Sequence, residues 1–88
     1  RWVEPLVPTV KFFATLRQAA GAREIELQAD TVKELLDRLA AGYGDKLDRY
    51  LRISTVLVNG KNVAHMKGPR TRLKPDDVVS IFPPLGGG

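Results

Sequence analysis

From Thr9 to Thr15 the run Thr-Val-Lys-Phe-Phe-Ala-Thr is dense in β-branched and aromatic residues, which predicts a strand. Leu16 to Ala22 follows and ends in the turn signal Ala20-Gly21-Ala22. Glu24 to Gln28 alternates, with Ile25 and Leu27 on one face and Glu24, Glu26 and Gln28 on the other. That is the period of a half-buried strand, and the two runs are expected to pair as an antiparallel hairpin. Thr31-Val32-Lys33-Glu34 has the form of a capping box that opens a helix. Val32, Leu35, Leu36, Leu39 and Ala40 then recur at helical spacing as one apolar stripe, with Gly42 and Gly44 ending it. Asp45 to Arg52 has room for one more short turn of helix.

Ser54 to Val58 reads as a third strand. Asn59-Gly60 after it is a strong two-residue hairpin signal, because both residues tolerate positive φ. Lys61 to Ala64 is the expected return strand, Lys74-Pro75-Asp76-Asp77 a turn, and Val78 to Phe82 the closing strand. The predicted order is strand, strand, helix, strand, short strand, strand. One main helix laid across one face of a mixed sheet gives an α+β fold of the β-grasp type, although periodicity alone does not separate it from other small α+β folds. The expected organisation is an arm over residues 1–8, one domain over 9–85 and a glycine tail over 86–88. Trp2, Pro5 and Pro8 in the arm do not suit a regular ladder.

Eighty-eight residues suffice for one small core, and 43% apolar with 27% charged residues is a globular composition. No apolar run is long enough for a membrane span and no secretory leader is visible, so a membrane role is not expected. The absence of cysteine removes disulfides and thiolate chemistry and fits a cytoplasmic setting. The net charge of +4 raises nucleic acid as a partner. The basic residues are mostly interleaved with acidic ones, however, and the densest cluster, Lys67, Arg70, Arg72 and Lys74, has no aromatic stacking platform. No nucleic-acid partner is therefore expected. The cluster reads as a solvated loop that steers the chain towards an acidic protein surface.

Side-chain catalysis is poorly supplied. His65 is the single histidine, and Asp76 and Asp77 stand in a turn, where Asp serves the backbone. No residues have metal-ligand spacing or form a phosphate-cradling loop ahead of a helix. The tail differs. Pro83-Pro84-Leu85-Gly86-Gly87-Gly88 follows directly on an intact final strand. Three glycines contribute nothing to a core, so this end reads either as a frayed linker or as a functional tail.

The residues that decide between these are Val10-Lys11-Phe12-Phe13-Ala14-Thr15-Leu16-Arg17 with Ala19-Ala20-Gly21, the helix opening Thr31 to Leu36, Val58-Asn59-Gly60, and Asp77 to Pro84 running into the glycines. Over residues 9–88 the chain resembles the ubiquitin-like sulfur carriers, in particular the small subunits of molybdopterin synthase. The thiamine-pathway carriers are also similar, but are shorter and lack the Phe-Pro-Pro step. The third glycine and the arm before Thr9 depart from the pattern. The resemblance implies a non-catalytic carrier that binds no cofactor of its own. An adenylating partner uses ATP on the Gly88 carboxylate, which becomes a thiocarboxylate, and the large subunit of molybdopterin synthase then uses its sulfur. It implies that Gly86, Gly87 and Gly88 thread into partners, and that Phe82, Pro83, Pro84 and Leu85 contact them. The same chemistry serves a protein modifier joined to lysines through Gly88, or a carrier for thiamine or tRNA thiolation.

Overall fold

Alternation along the strands places one side chain of each pair against the helices and the next on the opposite face. In the computed structural model, which describes residues 7–84, β1 is Thr9–Phe12, β2 Glu24–Glu26, β3 Thr55–Val58, β4 Lys61–Asn62 and β5 Val78–Phe82. The sheet order is β2-β1-β5-β3-β4. β1 pairs antiparallel with β2 (Val10 opposite Ile25) and parallel with β5 (Phe12 opposite Ile81), while β5 pairs antiparallel with β3 (Ile81 opposite Val56). The expected mixed sheet and the antiparallel first pair are both present. The strand read as Thr9 to Thr15 stops at Phe12, because Ala14 adopts φ 53°. The chain turns there into helix α1, Thr15–Ala20, whose end Gly21 caps at φ 73° by donating to the Arg17 carbonyl.

Helix α2 spans Val32–Tyr43 and begins as its sequence predicts, the Thr31 hydroxyl accepting from the Glu34 amide at 3.1 Å. The Glu34 carboxylate reaches one residue further back than the simplest capping box, accepting from the Asp30 amide at 2.7 Å. Gly42 lies within the helix, and Gly44, at φ 85°, ends it. The single expected helix has two companions. Besides α1, the segment after Gly44 forms helix α3, Asp45–Ile53, with Leu47 and Leu51 turned inward. Two apolar positions four apart anchor this otherwise polar stretch, and Asp45 and Asp48 suit the positive end of the helix dipole.

The core is one cluster: Val10, Phe12, Val56, Val58, Val79 and Ile81 from the sheet, Val32, Leu35 and Leu39 from α2, Leu47 and Leu51 from α3, and Leu16 from α1. Pro8, read as part of the arm, is buried, and its carbonyl accepts from the Leu27 amide at 3.0 Å. The return strand expected over Lys61 to Ala64 pairs for only two residues. Asn62 then caps a 3₁₀ turn, Val63–His65, its side chain accepting from the Ala64 amide.

The hairpin turn is tied to the root of β5. Asn59, at φ 52°, donates its side-chain amide to Asp77 Oδ1 at 2.8 Å and accepts from the Val78 amide at 2.9 Å through Oδ1. Asp77 Oδ2 accepts from the Lys74 amide at 2.8 Å, and Asp77 is 7% exposed. Each of the three oxygens in this small network accepts an N–H, so exchanging one acceptor for a donor cannot be accommodated by flipping an amide. Asp77→Asn, nearly identical in shape, must set one N–H against another. Chemical denaturation should show a loss of about 1–3 kcal/mol.

Candidate functional site

The last strand of the domain is the middle strand of its sheet. β5 is hydrogen-bonded to β1 on one side and β3 on the other up to its final residues, where Phe82 stands opposite Thr55 and the Phe13 amide donates to the Ile81 carbonyl at 3.2 Å. Pro83 and Pro84 follow. A proline has no N–H to give the ladder, and two in succession favour an extended backbone. The pairing ends at Phe82 for this reason, with Pro83 half-buried and Pro84 exposed. The chain thus leaves the sheet at its centre. Leu85, Gly86, Gly87 and Gly88 lie outside the described residues.

Phe82 is on the sheet face away from the helices: Val79 and Ile81 point into the core, whereas Val78, Ser80 and Phe82 point out. The strand alternation places Phe82 outside the core. There it stacks on Phe13, with centroids 4.2 Å apart and planes at 12°. The Arg17 guanidinium carbon stands 5.6 Å from the Phe13 centroid, and Arg17 Nε donates to the Phe12 carbonyl at 3.1 Å. Leu57 and Lys11 flank Ser80 in the adjacent row of the same face. Phe13, Phe82 and Leu57 are all half-buried.

Phe13 and Arg17 entered the sequence reading only as part of the motif that carries the resemblance, with no site role. The signal was present: Phe12 and Phe13 are neighbours in an extended run, so only one can enter the core. Arg17, one helical turn after Ala14, is set by α1, an element that sequence periodicity did not reveal. The remaining polar residues offer no rival site. His65 is exposed, and both Asp77 oxygens are committed to Asn59 and Lys74. Among the described residues no three His, Asp or Glu are grouped to hold a metal, and no helix is long and apolar enough to cross a membrane.

Residues 10–88 match the ThiS family. The chain belongs to this family. Small archaeal modifier protein 3 of Haloferax volcanii is 36% identical over 88 residues, covering 90% of this chain and 96% of the relative. A putative sulfur carrier protein of Archaeoglobus fulgidus is 31% identical over 86 residues, again with 90% and 96% coverage. Among solved structures, this ThiS-family chain is similar to small archaeal modifier protein 1 of Methanosarcina acetivorans, with TM-score 0.80, 33% identity and coverage of 92% and 95%. It is similar to a chain of the Amycolatopsis orientalis BexX/CysO complex, with TM-score 0.80, 26% identity and coverage of 93% and 100%. A putative molybdopterin converting factor subunit 1 of Pyrococcus furiosus has TM-score 0.68, 27% identity and coverage of 89% and 97%. The β-grasp fold and the sulfur-carrier and ubiquitin-like modifier kinship follow from these likenesses.

Phe12 and Phe13 provide an internal comparison. Phe12→Ala should cost about 3–5 kcal/mol as a core truncation. Phe13→Ala, which loses an exposed stack, should cost about 1 kcal/mol. Equal losses in urea denaturation would make the outer stack part of the core and remove it from the candidate site.

Proposed function

We propose that this protein is a sulfur carrier whose reacting group is the carboxylate of Gly88, which donates sulfur once it has become a thiocarboxylate. The exit of the tail from the centre of a ThiS-family sheet, through Pro83 and Pro84 and beside the Phe13–Phe82 stack, carries the proposal. An adenylating partner directs a Gly88 carboxylate oxygen at the α-phosphate of ATP, and pyrophosphate leaves. Hydrosulfide then attacks the acyl-adenylate carbonyl, AMP departs, the S–H proton is lost, and a thiocarboxylate remains.

The chain contributes geometry to this sequence. Glycines allow an extended backbone to pass where a Cβ would clash, which suits a narrow passage to a nucleotide. A strand fixed on both sides holds the base of the tail still, and the two prolines start it in an extended form. Phe82, Pro83, Pro84 and Leu85, with Phe13 and Arg17, form the surface that meets the partner. Apolar rings beside an arginine are frequent interface anchors. ATP and the catalytic side chains belong to the partner.

The recipient of the sulfur on this reading is a pterin precursor held by the large subunit of molybdopterin synthase, and the likeness to the Pyrococcus furiosus protein supports it. The 36% identity to the Haloferax volcanii modifier supports a second outcome of the same activation. There a lysine amine attacks the adenylate, expels AMP, loses a proton and becomes an isopeptide nitrogen. The two differ only in the nucleophile.

Incubation with ATP, an activating enzyme and a sulfur donor, followed by intact mass measurement, separates them. Exchange of one oxygen for sulfur supports the carrier, and adducts on lysines of other proteins support the modifier. An unchanged mass would sink both. Deleting Gly87 and Gly88 should abolish ATP–pyrophosphate exchange while changing folding stability by less than about 0.5 kcal/mol. Leu85→Asp should weaken large-subunit binding and leave the melting temperature nearly unchanged; a large fall in that temperature would place Leu85 in the core.

A further inference from the structure

Residues 61–74 contain five of the fourteen Lys and Arg and no Asp or Glu, while the other nine cations are set against ten carboxylates. The net charge of +4 is therefore concentrated in one segment rather than spread over the chain. Lys61, Lys67, Arg70, Arg72 and Lys74 are all exposed. Among the described residues the ion pairs lie within α2 and α3, and none of these five cations is in one.

The backbone that carries the charges is fixed. Thr71 is buried at 3% exposure, and its hydroxyl accepts from the Lys67 amide at 3.2 Å. The Thr71 carbonyl accepts from Val32 at 3.0 Å, the Leu73 amide donates to Asp30 at 2.9 Å, and Arg72 forms a β-bridge with Thr31. The segment is thus clamped to the start of α2, and Asn62 and Asp77 brace its two ends. The clamps fix the backbone from which these five side chains project, so less chain entropy is lost when a partner binds there.

Position separates the last two cations of the segment from the tail. Arg72 and Lys74 lie at the end of the sheet where β5 begins, and the tail leaves at the other end. A five-residue strand spans about 16 Å. We propose that the 61–74 segment is a second docking surface, and that its occupant is a protein face rich in Asp and Glu. This inference does not depend on what becomes of Gly88.

Other polyanions fit less well. The segment has no Phe, Tyr or Trp on which bases could stack, His65 being its single ring, and it offers no long helix or strand to a groove. An anionic bilayer would want an apolar face beside the charge. Met66, at 43%, is the large apolar side chain exposed here, whereas Val63 and Leu73 pack against the core. A carboxylate-bearing protein needs only the charges themselves. Held by such a partner, the domain presents its tail to it at high effective concentration.

The test is an amide NMR titration of the full chain with a synthetic peptide of alternating Glu and Leu, at near-physiological salt. Shifts should be confined to residues 61–74, and raising the salt should weaken binding. Combined Lys67→Glu, Arg70→Glu and Lys74→Glu should lower affinity by about tenfold or more. Lys46→Glu with Arg49→Glu, which removes two exposed cations from α3, should leave it within about twofold. Replacing the same three cations by Gln instead should give an intermediate loss, which holds the test open should the Glu variant fold poorly. Absence of peptide binding, equal loss in the α3 variant, or shifts spread over the whole surface would overturn the proposal. Tighter binding of a single-stranded oligonucleotide, or of phosphatidylglycerol vesicles, at the same salt would overturn it too, assigning the loop to another class of partner.

Discussion

A central strand needs a neighbour on each side, and here that strand is β5. Its inner residues Val79 and Ile81 are fully buried, and its hydrogen bonds are divided between parallel β1 and antiparallel β3. The rest of the fold is arranged around this demand. The first strand must lie beside the last, so the crossover between the first pair and β3 carries α2 and α3 over one face of the sheet. Those helices close the core on that side and leave the opposite side to Phe13, Phe82 and Leu57. One open face and a central exit for the tail are two consequences of a single topological choice.

The same demand explains the polar network at the root of β5. A long excursion separates β4 from β5, and its closure must set the register of the last strand to the residue, since a slip by one would turn Val79 and Ile81 outward. Asn59 and Asp77 do this with side chains in addition to their backbone bonds. Asn59 reads the Val78 backbone from the hairpin turn, and Asp77 fixes the turn that begins at Lys74. The positive φ at Asn59 serves both the two-residue hairpin and this contact.

Much of this was legible in the chain because it is written in local chemistry. Thr31 and Glu34 mark the start of α2, Asn59-Gly60 marks the tight turn, and the alternation of β5 marks its two faces. What escaped had no local signature. Ala14 reads as part of a strand but takes a positive φ, because the chain must turn there to begin α1. α3 rests on Leu47 and Leu51 alone, too sparse a stripe to predict nine helical residues. Asp77 was recognised as a turn residue, but its bond to Asn59 joins positions 18 apart and exists only in the folded sheet. The charge of residues 61–74 was partly visible. That its cations are held on a clamped backbone was not.

The central position of β5 also has a mechanical meaning. A pull on the tail is directed along the strand axis. It loads the hydrogen bonds to β1 and β3 together and in shear, instead of opening them one after another as a pull on an edge strand would. A partner that grips the tail therefore holds the domain by a part that can fail only by sliding past both neighbours at once.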